Sequence, residues 1–338
     1  MQARKRLRHY LPEWLKRLLR PVWKYVRSQT NSFFFRKEFK PLEGPLEERL
    51  ESSFFVPPGH FFSPIVDTGE LKKIGWPFAS TVEGRKTAQI PGILIDSKAM
   101  SYLWQHLLPL IKTCPFSEKD NNSAYYLDNN AFVYADGLVL HAFLRHFKPK
   151  NIIEVGSGFS SACMLETSRK FLNDNIFFTF IEPYPTLLHE RMKLCRTEHA
   201  AVIPRKIQSV ELTLFNKLES GDILFIDSTH VVKTGSDVMY ELFEVLPSLR
   251  PGVIIHFHDI FWPFEYPEEW IFEENRSWNE LYAIRAFLTN NFEYEILFWG
   301  NYWAKNIITS QDKQEVPLFM KNIGGSLWLR KRSSCSSY

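Results

Sequence analysis

The chain has 338 residues, with 41 Lys or Arg against 38 Asp or Glu, 45% hydrophobic residues and 15% aromatic ones. That composition buries a large core and excludes an intrinsically disordered chain, leaving one large domain or one large domain with a small companion. No run reaches the roughly 18 apolar residues of a membrane-spanning helix, and Cys114, Cys163, Cys195 and Cys335 show neither paired nor metal-type spacing, so they read as reduced thiols of a cytoplasmic protein.

The charge is unevenly placed. Residues 1–30 hold nine Lys or Arg and one acid, Glu13, which gives them +8 and leaves −5 for the remainder. Leu7, Leu11, Trp14, Leu15, Leu18, Leu19, Val22 and Val26 recur at helical spacing between these cations, with a kink expected at Pro21. Two readings stand open: an amphipathic helix lying on an anionic membrane from its inner face, or a basic arm packed on its own domain or on a second copy in a homo-oligomer. No apolar signal core is present, whereas an organelle transit peptide stays open. The acidic balance beyond residue 30 and the lack of a basic stripe argue against a nucleic-acid partner.

Residues 31–124 are irregular and rich in Phe, Pro and Gly, and read as a cap or lid over an acceptor pocket. Inside them, Met100, Leu103, Leu107, Leu108 and Ile111 predict one helix over 98–112. Residues 125–137 lead into a helix ending near Phe147, before Pro149.

The stretch Asn151-Ile-Ile-Glu-Val-Gly-Ser-Gly-Phe-Ser-Ser161 then gives a β-branched strand, a glycine turn and a helix from Ala162 to about Leu172, capped by Ser160 or Ser161. Gly156 and Gly158 let backbone amides of Ser157 and its neighbours approach a polar or anionic ligand. The third glycine of a dinucleotide fingerprint is replaced by Ser161, and Glu154 inside the strand repels a pyrophosphate but suits a cation. Strands and helices alternate from here: strands over 177–181, 201–207, 223–226, 253–257, 294–299 and 326–330, with helices over 187–195, 236–249 and 278–288. The pattern predicts a doubly wound α/β fold with a mostly parallel, seven-stranded Rossmann-like sheet over 125–332 and a serine-rich tail over 333–338. Ligands should sit at the carboxyl ends of the strands.

The acid-x-Gly-x-Gly turn at Glu154, Gly156 and Gly158, with Glu182-Pro183 closing strand two, resembles the class I S-adenosylmethionine-dependent methyltransferases. The resemblance implies S-adenosylmethionine as cofactor, with Glu154 toward its methionine amino group, Glu182 and Pro183 at the ribose, and Gln208 and Ser209 near adenine. It also implies Ser157 and Ser160 in the glycine turn, and Tyr134 and Asp136 facing the methionine end. Strand four ends Asp227-Ser-Thr-His230 and strand five ends His256-Phe-His258-Asp259.

That layout resembles catechol-type O-methyltransferases, in which such positions hold a divalent metal and a base. The implied metal ligands are Asp227, His258 and Asp259, and the implied base is His230, whose ordinary pKa near 6.5 suits proton abstraction. A histidine at 258 favours a transition metal over Mg²⁺, or no metal at all. The motifs are similar to the macrocin O-methyltransferase and cephalosporin hydroxylase-like branch. The expected function is therefore O-methylation of a small-molecule, sugar or lipid-linked acceptor. The alternatives are an NAD(P)-dependent oxidoreductase or a non-catalytic adenosyl-binding, membrane-associated protein.

Overall fold

The computed structural model describes residues 55–76, 89–120, 122–195 and 197–333, so the basic segment 1–30 and all of the serine tail but Ser333 lie outside the described residues. The chain divides into two units, Met1–Ala79 with Tyr266–Ser277, and Ser80–Glu265 with Trp278–Tyr338. In the first unit, a short helix Thr68–Lys73 is capped by Asp67, whose Oδ1 accepts from the amides of Gly69 and Glu70. Trp76 meets Phe272 edge-on at 5.6 Å, and the Val66 amide donates to Ser277 Oγ at 3.1 Å.

The second unit opens with α1 (Ser97–Lys112), whose buried stripe of Met100, Trp104, Leu107 and Ile111 has the spacing expected of it. Then come α2 (Tyr134–Phe147), β1 (Asn151–Val155), α3 (Phe159–Phe171), β2 (Phe177–Ile181), α4 (Thr186–Leu194) and β3 (Ala200–Ile203). Next are β4 (Ile223–Ile226), α5 (Asp237–Tyr240), β5 (Ile254–Phe257), α6 (Glu280–Leu288), β6 (Tyr294–Trp299), α7 (Gly300–Asn306) and β7 (Leu327–Lys331). The seven strands form one sheet in the order β3-β2-β1-β4-β5-β7-β6. Every pairing is parallel except those of β7, which runs antiparallel to both β5 and β6. Helices cover this sheet, so β4 and β5 are buried along their whole length, β4 as an uninterrupted apolar run and β5 with His256 as its one polar residue.

Some boundaries differ from the expectation. β3 stops at Ile203 because Pro204 cannot donate to a ladder, and Ile207–Ser209 form a 3₁₀ turn instead. The single helix expected over 236–249 is α5 followed by a π-turn, Glu241–Val245, before Leu246–Ser248. Ser160 and Ser161 lie inside the first turn of α3 rather than capping it, and Gly158 occupies the cap position. Aromatic rings fill the core: Phe143 stacks on Trp328 of β7 at 4.1 Å, and Trp104 of α1 on Phe298 of β6 at 5.9 Å. Burial of each such side chain contributes on the order of 2–3 kcal/mol.

Candidate functional site

At the tip of β1 the chain turns through Gly156, whose φ of 77° is strained for any residue with a Cβ. A Cβ built there would lie 1.9 Å from the Asp227 carbonyl oxygen. The glycine turn is therefore pressed directly against the tip of β4. The Ser157 amide donates to Glu182 Oε2 at 3.1 Å, and Glu182 Oε1 accepts from the Tyr184 amide at 2.8 Å. Glu182 and Pro183 are half-buried at the end of β2, beside the turn. The hydroxyl of Ser157 is buried and makes no hydrogen bond among the described residues. A backbone held this close and a carboxylate at its rim suit an adenosyl group with a cationic end.

Glu154 is fully buried on β1. Its Oε1 accepts from Ser160 Oγ at 2.5 Å and its Oε2 from the hydroxyl of Ser161. Burial, opposed by these two hydroxyls, pushes its carboxyl up to about 8. Any contact with a ligand's amino group must therefore pass through the serines of α3. At β3, Gln208 Nε2 donates to the Gly235 carbonyl at 2.9 Å and Ser209 Oγ to the Lys206 carbonyl at 2.8 Å, which ties the segment where adenine was expected to the loop after β4.

The tips of β4 and β5 carry a compact ionic cluster. His230 Nδ1 lies 2.7 Å from Glu280 Oε2, and its Nε2 lies 3.4 Å from Asp227 Oδ1 and 3.6 Å from Asp259 Oδ2. His258 Nδ1 faces Asp227 Oδ1 at 3.4 Å and Asp259 Oδ1 at 3.6 Å, while its Nε2 faces Asp136 Oδ2 at 3.3 Å. His230 and Asp259 both sit in the left-handed region, with φ of 60° and 59°. Those kinks turn the two chains at the sheet edge so that the four side chains meet.

Burial alone would lower the His230 pKa, but its hydrogen bonds to Asp227 and Glu280 raise it to about 10. For His258 burial is again opposed, here chiefly by the charges of Asp259 and Asp227, and the ring is held well above its ordinary value. Burial pushes Asp259 up, whereas for Asp227 the two imidazolium ions overcome burial and hold it well below the carboxylate range. At neutral pH both histidines are thus donors, and the expectation of a neutral, proton-accepting His230 does not match this environment. Asp227 keeps a quarter of its side chain exposed, the most open member of the cluster.

Asp136 has several partners within the protein. Its Oδ1 accepts from the amides of Gly325 and Ser326 at 3.1 and 3.0 Å and from Ser326 Oγ at 2.5 Å. It therefore clips the start of α2 to the start of β7 as well as facing His258. The hydroxyl of Tyr134 donates to Glu118 Oε2 at 3.0 Å. His256, on the same face of β5 as His258, stacks on Phe225 at 3.8 Å in the core, and its burial pushes the ring pKa well down. It takes no part in the cluster.

The residues do not fit the implied metal. Among the described residues no three His, Cys, Asp or Glu are disposed to hold an ion, and both nitrogens of His258 already face carboxylates. Sequence reasoning missed Glu280 as a partner, although it lies in the segment 278–288 read as a helix. Only the fold brings it beside His230, 50 residues earlier in the chain.

A family model described as a methyltransferase domain matches residues 153–260. These residues run from β1 to the tip of β5, the stretch that carries the glycine turn and most of the cluster. The chain belongs to the class I S-adenosylmethionine-dependent methyltransferases. The chain is also 30% identical to an uncharacterized protein of Archaeoglobus fulgidus over 170 residues, 49% of this chain and 75% of that one. Similar solved structures include an S-adenosylhomocysteine-bound methyltransferase of Podospora anserina, at 15% identity over 79% of this chain and 97% of that one, with a TM-score of 0.39. Another is the O-methyltransferase TomG of Streptomyces achromogenes, at 14% identity over 77% and 96%, also with a TM-score of 0.39. Among the described residues no helix is long and apolar enough to cross a membrane.

Proposed function

We propose that the chain methylates an oxygen of an organic acceptor, using S-adenosylmethionine. The observation that carries this reading is the contact of the glycine turn with the tip of β4, which sets a nucleoside-type cradle beside an open carboxylate. When bound, S-adenosylmethionine supplies an electrophilic methyl group on a sulfonium. Ser157 and Glu182 would hold its ribose end, and Glu154 would act on its amino group through Ser160 and Ser161. The chain's main task is then to hold donor and acceptor in line.

As the acceptor oxygen is alkylated, its proton becomes strongly acidic, so a carboxylate is base enough to take it. Asp227, ionised and the most open of the cluster, is placed for this, with His230 and His258 keeping it ionised and oriented. His230 thus acts as a fixed cation rather than as the base, and Asp259 completes the acid edge. Calorimetry with S-adenosylmethionine tests the reading: wild type binds, and Glu182→Ala weakens binding about tenfold or more, the loss of a charge-assisted pair of hydrogen bonds. Wild type that neither binds the donor nor releases S-adenosylhomocysteine with any acceptor would overturn it.

A further inference from the structure

The loop that follows β4 is fastened to the first turn of α6 by more than packing. The carbonyl of His230 accepts from the amides of both Asn279 and Glu280 at 3.1 Å. Asn279 Oδ1 accepts from the Val232 amide at 2.6 Å, and Asn279 Nδ2 donates to the Val232 carbonyl at 3.3 Å. The His230 ring lies 4.4 Å from that of Trp278. Within this clamp the Glu280 carboxylate, 1% exposed, meets His230 Nδ1 at 2.7 Å with one oxygen, while Oε1 has no hydrogen bond among the described residues.

A buried carboxylate with half its capacity unused is a costly arrangement for stability alone, because the unpaired oxygen has lost its water without gaining a partner. What the contact does achieve is directional. With Nδ1 committed to Glu280, the ring is oriented so that Nε2 points at Asp227 and Asp259 on the open edge.

We infer that Glu280 is a positioning residue for methyl transfer, fixing the ring of His230 so that its Nε2–H serves Asp227. The inference rests on the function proposed above. The charged groups facing this pair come from every neighbouring element: Asp227 at the tip of β4, His258 and Asp259 at the tip of β5, and Asp237 and Glu241 on α5 and its π-turn. The last two add negative charge behind Glu280, which itself is raised by its burial. Glu280→Gln therefore removes the one carboxylate bonded to Nδ1 while leaving the acid edge intact.

The test uses the full chain with Glu280→Gln and Glu280→Asp. Imidazole ¹⁵N signals, with His230 assigned by their loss in His230→Gln, report the ring without any turnover. In Glu280→Gln the His230 ring should titrate at lower pH than in wild type. In the same variant kcat should fall about 10²-fold or more, as for other misoriented imidazoles, with S-adenosylmethionine affinity within about twofold. Glu280→Asp should restore part of both. Unchanged ring titration and unchanged kcat in a folded Gln variant would overturn the role. So would a loss of kcat matched by an equal loss of donor affinity. If Glu280→Gln does not fold, the Asp variant carries the same readings. Wild type that fails to bind the donor would sink the methyltransferase reading, whereas the ring titration would still decide whether Glu280 governs His230.

Discussion

Replacing Glu154 by Gln tests the electrostatics of the glycine turn. The carboxyl is fully buried, and its pKa is pushed up from 4.5 to about 8. A folded pKa above the unfolded one means that the native state holds the proton more tightly. The stability from that proton is fully present below pH 4.5 and is lost as pH rises through about 8. A shift of about 3.5 pKa units corresponds to about 5 kcal/mol of stability lost across this window, of which about 3 kcal/mol is gone by pH 7. Glutamine is nearly isosteric and does not ionise. Its carbonyl can accept one serine hydroxyl, and its amide can donate to the other.

Urea unfolding from pH 5 to pH 9 should therefore show wild type losing stability over that range and Glu154→Gln losing less. At pH 9 the variant should unfold at the higher urea concentration. Parallel pH profiles for the two proteins would refute the reasoning, because they would mean that the buried carboxyl does not hold a proton the unfolded chain releases.

Two further outcomes follow from the same edge of the sheet. Gly156→Ala places a residue with a Cβ at φ 77° and 1.9 Å from the Asp227 carbonyl, costing about 1–2 kcal/mol for the left-handed backbone and about 1–3 kcal/mol for the clash, so the urea midpoint and donor affinity should both fall. His230→Gln should keep S-adenosylmethionine affinity by calorimetry while turnover falls about 10²-fold or more, and unchanged turnover would make His230 a structural residue.

Much of the fold was legible because its signals are local. The bounds of β2, β4 and β6 followed directly from apolar runs with turn residues beside them. Their alternation with helices foretold a seven-stranded, mostly parallel sheet, which is what the structure contains. Pro204 was a local signal too, and attention to it would have ended β3 at the right residue.

The π-turn at Glu241–Val245 was not readable, since nothing in the hydrophobic spacing of 236–249 distinguishes an i→i+5 hydrogen-bond step from an i→i+4 one. The site divides the same way. The placement of Glu154, Glu182, Asp227, His230, His258 and Asp259 at or near strand ends was legible because strand tips announce themselves in sequence. Their protonation was not, because pKa depends on neighbours across space. The proton on His230 is held partly by Glu280, and the Asp136 carboxylate is engaged by Ser326, 190 residues away. No pattern of nearby residues encodes either pairing.

The antiparallel β7 lies between β5 and β6, although it follows both in the chain. Until it arrives, β6 has no strand to pair with and β5 presents a bare edge. The cradle built on β1 and β2 depends on neither strand. The acidic cluster, by contrast, includes Asp136, which faces His258 and is bonded to Ser326 just before β7. The strand that closes the edge beside His258 and Asp259 is thus the last of the chain, so the integrity of that edge rests on residues far from it in sequence.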